Sequence, residues 1–257
     1  MADAAAVLFI LAVTAFAPPL IFLGWIRRTE RYGQEPVGRV LSTFLWGAIF
    51  AVLIAIVLQV IALFLFSEAD RVYAIAGRLN TPQETAIALG LALVIAPFTE
   101  EFAKGLGVYL ARPTIDEPED GLVYGAASGL GFASTENLLY GLSALLISGS
   151  VGFSIFVILL RSISSALLHA SASSAYGYGI ALNRLWPQHY RALPYYLLAV
   201  AMHAAYNFLA ALGDIATTQL GEYAALIGLG GAILLAVTAF FALRAKIKRE
   251  DARRVAW

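Results

Sequence analysis

Glu100, Glu101 and Lys104 interrupt the apolar stretch APFTEEFAKGLGVYL, residues 96–110. A charged side chain at the centre of a bilayer helix costs roughly 2.5–3.5 kcal/mol on insertion scales. The pattern recurs further along. FASTENLLYG carries Glu136 and Asn137, LLRSISSALLHASASSAYGYG carries Arg161 and His169, and AMHAAYNFL carries His203 and Asn207. Carboxylates and imidazoles held in a low-dielectric site are the parts of a water-activating hydrolase, with a glutamate as general base near neutral pH. A water held between a glutamate and a histidine would be the nucleophile. His203 and Asn207, one helical turn apart, could then hydrogen-bond a developing oxyanion. Lys104 and Arg161 would hold the net charge near neutral. This chemistry needs no cofactor. The alternative is zinc, which His169, His203, Glu136 and Glu101 could hold with one position open.

Other ways of cutting a peptide bond inside a membrane fit less well. The chain has no cysteine, which removes thiolate nucleophiles, disulfides and Cys-based metal sites. A diaspartyl site needs two intramembrane aspartates; no span interior holds one, and Asp214 falls at a helix end. There is no H-E-x-x-H. Ser128, in AASG, could form a dyad with His169 or His203, but the match is only four residues long. Ser128 and Ser134 read better as packing residues.

Spacing indicates which groups can meet. Residues four apart share a helix face, so Glu100 pairs with Lys104, His203 with Asn207, and Arg161, Ser165, His169 and Ser173 form a polar stripe over three turns. Glu101 with Lys104 is the i,i+3 alternative. Adjacent Glu100 and Glu101 point about 100° apart. One is therefore expected to face a cavity while the other pairs with Lys104 or Arg161. At about 1.5 Å of rise per residue, Glu100 lies roughly 15 Å from the cytoplasmic end of its span, Glu136 roughly 22 Å, His169 roughly 20 Å, and His203 and Asn207 roughly 13–20 Å. Spans that alternate in direction thus deliver polar groups to a similar depth.

The elements that must position these groups are membrane helices. The chain has 257 residues, 60% hydrophobic and 13% charged, with mean hydropathy +0.78, against about 25% charged in a typical soluble domain. Its formal net charge is zero, which gives no reason to expect nucleic acid or an acidic partner. A bilayer core needs roughly 20 apolar residues per helix. Seven segments satisfy this, near 5–26, 40–66, 84–110, 121–146, 152–182, 194–213 and 223–244. The expected fold is all-α: one polytopic transmembrane bundle over residues 1–257, with the polar core inside 84–213. An eighth span would require splitting the fourth or fifth segment, for which LISGSVGFS offers a place. The first segment lacks the basic n-region of a cleaved signal peptide.

Basic residues in RRTERYGQEPVGR, NRLWPQHYR and RAKIKREDARR fall on one side of a seven-span arrangement. This places the N-terminus outside and the C-terminus in the cytoplasm. Arg71 and Arg78 count mildly against it, and the acidic loop ARPTIDEPEDG counts little. Gly121, Gly125 and Gly129 lie on one face of the fourth segment, where they would let another helix approach closely.

The succession EEFAK, GLVYGAASGLGFASTENLLY, His169 and HAAYN, over roughly residues 90–210, resembles the PrsW family of intramembrane proteases. It is distantly similar to the superfamily of CAAX prenyl proteases and bacteriocin-processing membrane enzymes. The resemblance implies that Glu100 and Glu101 are the family's paired glutamates and Lys104 its lysine. Glu136 matches its fourth-span glutamate, where the prenyl-protease branch carries a histidine, and His169, His203 and Asn207 match its later polar positions. It also implies a prokaryotic cell membrane and a membrane-anchored protein substrate, such as an anti-sigma factor. Two other classes stand beside this one. An ion- or proton-coupled transporter also uses intramembrane Glu, His and Lys, although no internal repeat is evident and Pro97 is the one candidate helix break near the site. An inactive scaffold binding membrane partners would tolerate Glu→Gln changes. The oligomeric state is not legible in the sequence.

Overall fold

The glycine face predicted for the fourth segment lies on the helix at the middle of the structure. The computed structural model describes residues 3–67 and 83–254. It is all-helical, with no strand among the described residues. Helix α1 (Ala4–Arg27) is followed by α2 (Val37–Leu45), which runs through a π-helical turn, Trp46–Ala51, into α3 (Val52–Ser67). Helix α4 (Gln83–Gly90) runs through a second π-helical turn, Leu91–Ile95, into α5 (Ala96–Ala111). There follow α6 (Pro118–Ser148), α7 (Val151–Ile163), α8 (Ser165–Leu185), α9 (Leu193–Ala210), α10 (Leu212–Leu220) and α11 (Tyr223–Arg254).

Among the described residues, five stretches are long and apolar enough to cross a membrane: Ala4–Arg27, Val37–Leu65, Pro118–Ser148, Val151–Leu185 and Tyr223–Arg253. Large apolar side chains such as Phe9, Ile21, Leu146, Ile147 and Leu234 point outward, as lipid-facing residues do. The further spans expected at 84–110 and 194–213 coincide with the helical run 83–111 and with Leu193–Ala210, whose polar residues build the site. The loop carrying Arg71 and Arg78 lies outside the described residues.

Local chemistry sets the helix ends. Helix α6 starts with Pro118 behind a capping box, in which the Glu117 side chain accepts from the backbone of Asp120 and the Asp120 side chain accepts from that of Glu117. It ends at Gly149, whose φ of 66° is the left-handed cap that glycine adopts without strain. The LISGSVGFS stretch is therefore the turn between α6 and α7. The break within the fifth segment falls later, at Ser164 (φ −118°, ψ −80°), and divides the single helix expected over 152–182 into α7 and α8. Ser162 and Ser164 donate to the carbonyls of Ile158 and Leu160, each at 2.8 Å. Such back-bonding to i−4 competes with the helix ladder and bends it.

Helix α6 is packed on two sides by backbone. A Cβ added at Gly121, Gly125 or Gly129 would collide with the carbonyls of Gly177, Ser173 or His169 on α8. On the opposite side, Gly131 abuts the Phe44 carbonyl and Gly47 abuts that of Ser128. At one end of the bundle three distant segments meet: the backbone N–H groups of Arg31 and Tyr32 both donate to Asp251 at 3.0 Å, and Tyr124 on α6 donates to Glu35. Burial, with the nearby charges of Glu35, Glu119 and Asp251, pushes the Glu30 carboxyl here up to about 8, against one backbone hydrogen bond that favours its ionised form.

A branched side chain at Gly129 must push α8 away. Gly129→Val should destabilise the protein by about 1–3 kcal/mol or more through overpacking. Gly24→Ala, with nothing within 4 Å of the added carbon, should be neutral or slightly stabilising. Thermal melting in detergent checks both.

Candidate active site

Lys104 is the hub. Its Nζ lies 2.8 Å from Glu101 Oε1, 3.4 Å from Glu100 Oε2 and 2.7 Å from His169 Nδ1, and 4.1 Å above the Phe132 ring. No part of its side chain is exposed. The two adjacent glutamates separate as the 100° rotation demands. Glu100 faces a cavity of about 650 Å³. Glu101, fully buried behind it, accepts from Ser173 at 2.8 Å and lies 3.0 Å from His203 Nδ1.

Glu136 is fixed from the other side of the cavity. Its Oε2 lies 2.8 Å from Arg161 Nη2, 3.0 Å from His169 Nε2 and 3.4 Å from Ser165 Oγ. Arg161 also donates to Asn137 at 3.0 Å and stacks on Tyr140 with its guanidinium carbon 3.7 Å from the ring centroid. The stripe of Arg161, Ser165, His169 and Ser173 therefore converges on two glutamates, across the break at Ser164. Three carboxyl groups face two basic side chains, Lys104 and Arg161. One negative charge is left when both basic side chains are charged, both histidines are neutral and all three carboxyls are ionised.

The partners fix the imidazoles. An ammonium only donates, so His169 accepts from Lys104 at Nδ1 and donates from Nε2–H to Glu136. His203 presents Nδ1–H to Glu101, which leaves the lone pair of neutral Nε2 directed toward Glu100 Oε2, 3.8 Å away. That separation is too long for a direct hydrogen bond, and both atoms belong to residues on the cavity wall.

Glu100, Glu136, Arg161, His169, His203 and Asn207 all line the cavity, while Glu101 and Lys104 support it from behind. Asn207 does more than the sequence suggested. One amide hydrogen is committed to the carbonyl of Ala92, at 2.7 Å, inside the π-helical turn Leu91–Ile95. Ser128 donates to the Lys104 carbonyl at 2.8 Å and Ser134 to that of Leu130, in keeping with packing roles. Gln59 on α3 takes a larger part than its sequence context indicated: it donates to Glu100 at 3.2 Å. Being the one conspicuous polar residue in the second apolar segment was its only signal. A metal-competent group also exists: Glu100, His169 and His203 offer ligand atoms all within 4.8 Å of one another. From the donor set expected of the sequence, Glu101 and Glu136 instead hold the histidine nitrogens through hydrogen bonds.

Comparisons with known proteins identify the family. The description "PrsW family intramembrane metalloprotease" matches residues 35–243. Protease PrsW of Geobacillus kaustophilus (strain HTA426) is 29% identical over 205 residues, covering 79% of this chain and 80% of its own length. Protease PrsW of Clostridioides difficile (strain 630) is 25% identical over 209 residues, covering 79% and 78%. No solved structure matches the chain significantly. A helical membrane fold around a buried carboxylate–imidazole site, with these relatives, is that of an intramembrane protease. Within that class the chain belongs to the PrsW family, and it is a peptidase.

Breaking a buried ion pair by removing one partner costs roughly 3–5 kcal/mol. Lys104→Met should therefore destabilise strongly, since it leaves Glu101 without its cation. Adding Glu101→Gln should recover part of the loss. A double-mutant cycle on melting in detergent measures the coupling, and strictly additive losses would contradict it.

Proposed function

We propose that the chain is a glutamate-dependent intramembrane endopeptidase. Its nucleophile is a water that donates to Glu100 Oε2 and to His203 Nε2. The carrying observation is the 3.8 Å gap between those two acceptors on the cavity wall. A polar contact of that length is the kind that water bridges. Glu100 takes the proton as the water oxygen attacks the scissile carbonyl, and returns it to the leaving nitrogen. Arg161 and the second amide hydrogen of Asn207, both at the cavity, donate to the oxyanion. Glu101 orients His203, and Lys104 and Glu136 orient His169. The substrate is a membrane-anchored protein, and an anti-sigma factor is the kind that the family resemblance implies.

A second reading follows from the grouping of Glu100, His169 and His203. Two histidines and one glutamate are a known catalytic zinc set, so the residues fit a metal of the kind that the word metalloprotease in the family description implies. The ion would supply Lewis-acid activation of water. His169 could join that set only by giving up Lys104 or Glu136, because both of its nitrogens are engaged. The N-terminus is placed outside and the C-terminus in the cytoplasm, on the distribution of basic loops.

Reconstitution with single-span candidate substrates should yield a cleavage product. Glu100→Gln should lower the rate by about 10²–10⁴-fold, the range of general acid–base catalysis, with folding retained. In the metal-free reading, cleavage survives exhaustive chelation; loss on chelation and recovery with zinc would establish the second reading. Ion flux without any cleavage would overturn both in favour of a transporter. Because the chain has no cysteine, single cysteines report orientation. Ser150→Cys should react with an impermeant thiol reagent from outside the cell, and Gln34→Cys only after lysis.

A further inference from the structure

A second acidic cluster lies outside the site described above, at the bundle end where the loop after α1, the loop before α6 and the end of α11 meet. Glu30, Glu35, Glu119, Asp120 and Asp251 are all buried there, and exposed Asp116 joins them from the rim. Among the described residues, none of the six forms an ion pair with lysine or arginine. The hydrogen bonds that do reach their carboxylates are few, and Arg27 donates to the backbone carbonyl of Glu35, not to its side chain, at 2.7 Å. Asp120 accepts from the backbone of Asp116 and of Glu117 at 2.8 Å, Asp251 from Arg31 and Tyr32, and Glu35 from the Tyr124 hydroxyl. Glu30 Oε2 accepts weakly from the Glu35 backbone at 3.4 Å.

Two further oxygens point to a missing positive partner. Glu30 Oε1 and Glu119 Oε1 are buried without any hydrogen-bond partner, on side chains 1% and 2% exposed. A buried, unpartnered carboxylate oxygen is costly. Glu35, Asp116 and Asp120 meanwhile offer ligand oxygens all within 4.8 Å of one another. An all-oxygen donor set with one exposed member, so that water can complete the shell, suits a hard divalent cation and not a soft one.

We infer that Glu35, Asp116 and Asp120 bind a divalent cation of the calcium or magnesium type, which ties the loop after α1 to the start of α6. The ion neutralises a cluster whose carboxylates have no basic side chain paired to them and in which Glu30 and Glu119 leave oxygens unpartnered. Its effect is on the structure: it anchors the end of the helix that carries Glu136.

Full-length protein in detergent, stripped with EDTA, would be dialysed against Ca²⁺ alone and Mg²⁺ alone at constant ionic strength. Bound cation and melting midpoint would be read together. The expected result is a saturable site that raises the midpoint by roughly 3 °C or more at ten times Kd. Asp116→Asn changes an exposed residue, so it should fold with the wild-type midpoint in EDTA yet bind at least tenfold more weakly. Glu35→Gln should weaken binding likewise, and Glu100→Gln, which removes the carboxylate of the other metal-competent group, should leave it intact. Absence of binding at millimolar Ca²⁺ and Mg²⁺ would overturn the inference. So would binding that survives Asp116→Asn, or binding that disappears in Glu100→Gln.

Discussion

An ammonium with no exposed surface cannot remain in a membrane protein unless its charge is met, and the arrangement of the active site follows from how Lys104 is met. Glu101 and Glu100 lie on the lysine's own helix, whereas His169 reaches it from α8 and Phe132 from α6. Those contacts therefore define where three helices stand. They also determine chemistry at a distance. By donating to His169 Nδ1, the lysine leaves that ring a hydrogen on Nε2 to give to Glu136. The orientation of a carboxylate on α6 is thus decided by a cation on α5, through one imidazole.

Such a network tolerates little slack, and the glycines of α6 supply the tolerance. His169 can reach both Lys104 and Glu136 only if α8 lies against α6 at backbone distance, and Gly129 abuts the His169 carbonyl. In lipid there is no hydrophobic drive to bring helices together, so close van der Waals contact must do so. The π-helical turns show the same economy. Widening the helix at Leu91–Ile95 disturbs backbone pairing near the cavity, and the Asn207 amide takes up the Ala92 carbonyl there. A polar residue that lines the cavity thereby also pins an irregular backbone, which a bilayer permits only where protein satisfies it.

Much of this was legible in the sequence, and the misses share a cause. The cost of charge in lipid marked Glu100, Glu101, Lys104, Glu136, Arg161, His169 and His203, and the 100° step between neighbours anticipated that one of the paired glutamates would face the cavity while the other met Lys104. Four-residue spacing marked the glycine face. Periodicity, however, tells which face a residue occupies and not what lies opposite. The bond from Asn207 to the Ala92 carbonyl therefore went unseen, because the π-helical turn it caps leaves no trace in hydropathy. The stripe from Arg161 to Ser173 was read as one helix, because serine back-bonding at Ser164 competes with the ladder without changing composition. The acidic residues near 30, 116, 120 and 251 were not read as one cluster for a further reason. They are remote from one another in the chain, and carboxylates weigh little in the loop-charge rule that fixes orientation.

The two polar centres share one rod. Asp120 opens α6 and Glu136 follows sixteen residues later on the same helix, about 24 Å along its axis. The glycine face lies between them, pressed against the α8 backbone. A slide of α6 along α8 would bring side chains into collision where glycine now sits, and a rotation would carry Glu136 away from both Arg161 and His169. Whatever steadies the starting end of α6 consequently steadies the carboxylate at its middle. A helix longer than the hydrocarbon core is thick can connect chemistry within the bilayer to charge at its edge without any moving part.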